Sequence, residues 1–126
     1  MMARMSPLVV YIVDDEDAVR DGLARLLRSA GMDPRPFATA EGFLAAVSDT
    51  ERGCVLLDIT MPLMTGPQVQ QCLNDRKIAL PVITVSARND ALTRAWTRDL
   101  GARMFLRKPV DDQALLDAIN WVCHGA

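Results

Sequence analysis

The sequence predicts an α/β protein: a doubly wound, parallel five-stranded sheet with five helices in a single domain. Two observations predict it. Short apolar runs alternate with amphipathic helical segments five times in succession, and βα units in series place parallel strands under helices on both faces. The first and third apolar runs carry almost no polar residue, as central strands buried on both sides require.

The strands are expected at Leu8–Val13, Pro34–Phe37, Val55–Leu57, Val82–Val85 and Met104–Leu106. After the first strand, Val19, Leu23, Leu26 and Leu27 repeat at helical spacing, and Gly31 closes that helix. Phe43, Leu44 and Val47 mark a shorter second helix that starts at Thr39 or Ala40. The third carries Val69, Cys72 and Leu73 and follows Gly66-Pro67, proline being suited to a first helical turn. The fourth is read from Leu92, Ala95 or Trp96, and Leu100, and ends at Gly101; in that phase Trp96 packs inward. The fifth carries Leu115, Ala118, Ile119 and Val122 and is entered through Asp111-Asp112. No linker, repeat or low-complexity tract divides residues 1–126.

Bulk composition removes several function classes. Half of the residues are hydrophobic, which suffices for a core in a chain of 126 residues. The net charge of -2 argues against nucleic-acid binding by this chain. No stretch reaches the roughly 18 apolar residues of a membrane span, and MMARMSP lacks the apolar centre of a signal peptide. Cys54, Cys72 and Cys123 have no CxxC or zinc spacing and read as reduced thiols of a cytoplasmic protein. The single histidine, His124, stands near the chain end, a poor place for a catalytic base.

In parallel sheets of this kind, ligands bind at the carboxyl ends of strands. Those ends carry Asp14 and Asp15, then Asp58, Ser86, and Lys108-Pro109. Each residue alone has an ordinary explanation. The Asp14-Asp15 pair suits a helix N-terminus, Asp58 and Ser86 suit turns, and Lys108 suits a solvated surface. Together they form a set of three carboxylates, a hydroxyl and an ammonium. Two unit charges about 4 Å apart repel by about 4 kcal/mol at an effective dielectric of 20. A hard divalent cation such as Mg²⁺, with oxygen ligands, offsets that cost. Asp58 then becomes a nucleophile for an activated phosphoryl group, with Ser86 and Lys108 holding the transferred oxygens.

The stretches VYIVDDED, LLDITMPLMTG, PVITVSA and MFLRKPV together resemble the receiver domain of two-component response regulators, in its FixJ-like branch. The resemblance runs from about Leu8 to Val122, the expected core of the domain. It implies the strand order 2-1-3-4-5. It makes Asp58 the phosphoacceptor, served by a sensor histidine kinase, and Mg²⁺ the cofactor. Asp14, Asp15, Asp58 and the backbone carbonyl of Thr60 would hold the metal, with Asp15 favoured over Asp14 as a direct ligand. Ser86 and Lys108 would contact the phosphoryl group, Phe105 would be the aromatic switch, and Gly66 would let the loop after the third strand turn. The Lys108-Pro109 bond is expected to be cis.

The resemblance further implies a signalling domain rather than an enzyme. Its output would pass through the face of helix 4, strand 5 and helix 5, by homodimerisation on phosphorylation or through a DNA-binding domain beyond residue 126. Four positions depart from the family pattern: Leu63, Arg98, Arg107 and Val110. Arg88 borders the site. Arg20, Asp21, Arg25 and Arg28 read either as a kinase-facing patch or as a solvated helix face. Glu16 and Asp17 read as acids that open the first helix against its dipole.

Three other readings compete. A haloacid dehalogenase-type phosphatase needs a second acid two residues after Asp58, where Thr60 stands. A flavodoxin-like binder needs a phosphate loop where DDED stands. A degenerate receiver that only makes protein contacts would not need the full site set.

Overall fold

The computed structural model describes residues 7–48, 52–59, 66–87 and 91–124. In chain order the elements are β1 (Val9–Val13), α1 (Asp17–Ser29), β2 (Asp33–Phe37), α2 (Ala40–Ala46), β3 (Gly53–Asp58), α3 (Gly66–Asp75), β4 (Val82–Ser86), α4 (Ala91–Asp99), β5 (Met104–Arg107) and α5 (Asp112–His124). All strand pairs are parallel and the order is β2-β1-β3-β4-β5. The expected architecture is therefore the observed one.

Every residue of β1, β3 and β4 is buried. Alternation along each strand feeds two cores. Val10, Ile12, Cys54, Leu56, Ile83 and Val85 face α1 and α5, which contribute Ala24, Leu27, Leu115, Ala118, Ile119 and Val122. Val9, Tyr11, Val13, Val55 and Leu57 face α2 and α3, which contribute Phe43, Leu44, Val69 and Leu73. Edge strand β2 contains Pro34 and Pro36, and an edge tolerates residues that bring no N–H to the ladder.

Local chemistry sets the helix ends. Gly31 and Gly101 take positive φ after α1 and α4, as C-terminal glycines do. Thr39 is the N-cap of α2, its hydroxyl accepting the Gly42 N–H at 3.1 Å. Thr39→Ala should cost about 1 kcal/mol through this lost cap; an unchanged urea midpoint would show that the cap contributes nothing. Asp111 closes the start of α5 in the same way, accepting the Ala114 N–H at 2.9 Å.

Helix α4 departs from its expected phase. Leu92 is 85% exposed and Trp96 is 55% exposed, while Thr97 is buried. The inward row is thus Thr93, Thr97 and Leu100 rather than Leu92, Trp96 and Leu100. The Thr97 hydroxyl donates to the Arg94 carbonyl at 3.1 Å, so its polar group is satisfied inside the fold. Gln70 of α3, also buried, donates to the Thr97 carbonyl at 3.0 Å and ties the two helices together. Among the described residues no helix is long and apolar enough to cross a membrane.

Candidate functional site

Strand register alone assembles the site. Val13 pairs with Leu57, so Asp14 and Asp58 each stand one step further along neighbouring strands. Asp58 pairs with Val85, one residue before Ser86. Ser86 pairs with Arg107, one residue before Lys108. The side chains expected at four strand ends therefore converge on one edge of the sheet.

Asp14, Asp58 and Ser86 are buried, whereas Asp15 is exposed. Carboxylate oxygens of Asp14, Asp15 and Asp58 all lie within 4.8 Å of one another. The Lys108 ammonium reaches across to them, donating to Asp14 Oδ2 at 2.8 Å and standing 3.5 Å from Asp58 Oδ2. Its backbone is fixed as well: the Lys108 N–H donates to the Ser86 carbonyl at 2.8 Å, and the Lys108-Pro109 bond is cis, as expected. Burial works against the lysine's charge. The hydrogen bond to Asp14, the fields of Asp58 and Asp14, and the bond to Glu16 outweigh it and hold the pKa above the usual lysine value. Lys108 is a cation, and the acids around it keep it one.

Two residues do more than their sequence positions suggested. Glu16 is the N-cap of α1, but its carboxylate also accepts from Lys108 at 3.3 Å. Arg20 does not sit on a solvated face. Its side chain is only 15% exposed, donating to the Asp14 carbonyl at 2.8 Å and pairing with Asp17. Asp14 is meanwhile oriented by the Glu16 N–H, which donates to its Oδ1 at 2.9 Å. The four-acid run thus divides: Asp14 and Asp15 face the cluster, Glu16 braces the lysine, and Asp17 braces Arg20. A lysine that must balance several acids was the available signal for Glu16; for Arg20 the i, i+3 spacing marks the pair with Asp17 but not the bond to the Asp14 carbonyl.

The hard, all-oxygen donor set of Asp14, Asp15 and Asp58 fits a divalent cation such as Mg²⁺. Thr60 lies outside the described residues, as do Leu63 and Arg88. Gly66 opens α3, but the loop it was expected to turn, residues 60–65, also lies outside them. Phe105 is half-buried on β5, away from the acids, with the Arg94 guanidinium 5.7 Å from its ring centroid. It borders a surface hollow of about 590 Å³ shared with Arg103, Ala114, Asp117 and Trp121, between β5 and α5. Trp121 itself is 56% exposed. Arg98 and Arg107 are exposed, and the small Val110 lines a separate hollow between α1 and α5.

Known proteins share this sequence and this fold. The chain is 46% identical over 111 residues to the transcriptional regulatory protein TdiR of Thauera aromatica, covering 88% of this chain and 49% of TdiR. It is 38% identical over 113 residues to the transcriptional regulatory protein FixJ of Azorhizobium caulinodans, covering 90% and 54%. The chain thus spans about half the length of the curated relatives it matches. Among solved structures, FixJ-N superposes with a TM-score of 0.87 at 33% identity, over 97% of this chain and 98% of that one. The response regulator StyR gives 0.87 at 37% identity, over 94% and 60%. The family model described as the response regulator receiver domain matches residues 10–120. The chain belongs to the response regulator receiver domain family, the FixJ-like receivers of two-component signalling.

Proposed function

We propose that Asp58 is the phosphoacceptor of this receiver, taking a phosphoryl group from the phosphohistidine of a sensor histidine kinase. The observation that carries this reading is the junction of Asp14, Asp15 and Asp58 with the Lys108 ammonium at the carboxyl edge of the sheet. An Asp58 carboxylate oxygen forms the new bond to phosphorus as the P–N bond of the donor breaks. Lys108, already 3.5 Å from Asp58, neutralises charge on the transferred oxygens. The Ser86 hydroxyl, one residue along the adjacent strand, hydrogen-bonds the same group. Asp14, Asp15 and Asp58 would hold Mg²⁺, with the Thr60 carbonyl as a further ligand, and the ion supplies electrostatic stabilisation when bound. Gly66 would let the loop after β3 turn, and Pro109 would set the backbone beside the lysine.

Phosphorylation adds about -1.5 to -2 charge at Asp58. In this reading that charge draws Ser86 inward, and Phe105 leaves Arg94 to follow it. The face of α4, β5 and α5 changes with it, as a biased two-state element. The exposed Leu92, Trp96 and Trp121 on α4 and α5 supply apolar area for a homodimer on that face. The reading extends to a single domain over residues 1–126, a cytoplasmic setting, and signalling rather than turnover of a substrate. DNA contact would come only through a further C-terminal domain.

The test is to incubate the protein with acetyl phosphate and Mg²⁺, then measure intact mass and, by light scattering, size. One phosphoryl group should be gained, with dimer appearing at tens of micromolar, the order of transient affinities. The gain should vanish in Asp58→Asn and without the metal. Wild-type labelling of Asp58→Asn would overturn the assignment of the acceptor; a phosphorylated monomer would overturn the dimer.

A further inference from the structure

A second cluster of reactive side chains lies at the opposite, amino-terminal edge of the sheet. Cys54 is the second residue of β3 and fully buried, on the core face shared with α1 and α5. Cys123, in the last turn of α5, packs against that same core and is partly exposed. Helix α5 packs on β3, so the two thiols lie close enough to act on each other, and Arg52, just before β3, lies close enough to act on Cys123. We propose that Cys54 and Cys123 form a hydroperoxide-reactive dithiol that closes to a disulfide joining the start of β3 to the end of α5.

The two sulfurs have different work to do. The interaction with Cys54 lowers the Cys123 pKa; burial opposes this and the Arg52 charge adds to it. Cys54 moves the other way: its interaction with Cys123 raises its pKa, and burial and the Cys123 charge raise it further. Cys123 is therefore the more acidic thiol and the one solvent can reach, and Cys54 the less acidic thiol behind it. In the first step the Cys123 sulfur attacks the O–O bond of the peroxide. An S–O bond forms, the O–O bond breaks, and the leaving oxygen takes a proton to depart as water or an alcohol. In the second step the Cys54 sulfur attacks the sulfenic acid. The S–S bond forms, and the hydroxyl leaves as water with the Cys54 proton. Two thiols and one hydroperoxide thus give one disulfide, one water and one water or alcohol. Helix termini open more readily than helix centres, so the last turn of α5 can adjust to disulfide geometry. A reversible bond here is consistent with reducing surroundings, where disulfides are transient.

Hydrogen peroxide added to the reduced protein is the probe. Intact mass should fall by two hydrogens, and a non-reducing peptide map should join Cys54 to Cys123. Cys72, partly buried on α3, should remain open to alkylation. Dithiothreitol should restore both thiols. Cys54→Ala should leave Cys123 as a sulfenic acid that dimedone traps. Cys123→Ser, at a partly exposed position that tolerates the change, should leave Cys54 unreactive in a folded protein. The proposal fails if Cys123 stays fully alkylatable after peroxide, if Cys72 oxidises as fast, or if the disulfide forms only between molecules.

Discussion

Replacing Lys108 with methionine is expected to cripple phosphoryl acceptance and to make stability respond more strongly to divalent cations. The substitution keeps most of the stem and removes only the ammonium. In the native site that ammonium lies 2.8 Å from Asp14, 3.3 Å from Glu16 and 3.5 Å from Asp58. Asp14 and Asp58 are each 3% exposed, so without the lysine they are two buried carboxylates left to repel each other. Breaking a buried pair by deleting one partner costs about 3–5 kcal/mol. The exposed Glu16 arm adds little and water reaches part of the cluster, so a loss at or just below that range, about 2–3 kcal/mol, is expected. Added Mg²⁺ should recover more stability in Lys108→Met than in the wild type, because it supplies the missing positive charge to Asp14, Asp15 and Asp58. The rate of labelling by acetyl phosphate should fall by about 10²–10³, the usual cost of removing one preorganised charge-stabilising donor. Urea unfolding with and without Mg²⁺, and a time course of intact mass, read the two effects separately. A variant that labels at the wild-type rate would remove Lys108 from the phosphoryl site. One whose urea midpoint ignores both the mutation and Mg²⁺ would show that the three carboxylates do not repel as the geometry requires.

The site was legible in the sequence because strand ends are positions that topology alone brings together. Once β1, β3, β4 and β5 are parallel and adjacent, Asp14, Asp58, Ser86 and Lys108 fall into successive register steps. No long-range contact has to be guessed. The sequence marks Glu16 only as a helix-opening acid and Arg20 only as part of a kinase-facing patch or a solvated helix face, because their roles depend on the reach of a side chain. Glu16 crosses to a lysine 92 residues away. Arg20 bends back to the carbonyl of Asp14, and neither contact leaves a periodic trace. The misreading of α4 has a different origin. Hydrophobic periodicity assumes that the most apolar side chains face inward. Helix α4 instead rests on α3 and β5 through a row centred on a satisfied threonine, leaving Leu92 and Trp96 toward solvent. That inversion is itself informative. A helix that buries Thr97 while exposing Leu92 and Trp96 leaves apolar area in water that the proposed dimer would cover.

Gly53→Ala is expected to destabilise the fold severely, the largest effect of adding a Cβ at any of the described glycines. Gly53 opens β3 and lies opposite Val9 of β1. A Cβ built there would stand 1.8 Å from the Val9 carbonyl oxygen, 2.8 Å from its carbonyl carbon and 3.1 Å from its nitrogen. All three are backbone atoms, so no rotamer change relieves the clash. Val9 cannot withdraw, because β1 is held between β2 and β3 and its own N–H donates to the Arg52 carbonyl at 2.9 Å. Relief therefore requires breaking the β1–β3 ladder at its start, between the core that contains Val9 and the one that contains Val10 and Cys54. A cost above about 4 kcal/mol falls in the range reserved for such core and backbone conflicts, against a total stability of about 5–15 kcal/mol for an ordinary domain. The matched control is Gly22→Ala in α1, where a Cβ meets nothing within 4 Å; there the better helix former should raise stability by about 0.5–1 kcal/mol. Far-ultraviolet circular dichroism on heating compares the three proteins directly. If Gly53→Ala melts within a few degrees of the wild type, the close approach of β3 to Val9 is wrong, and with it the register that brings Asp14 beside Asp58.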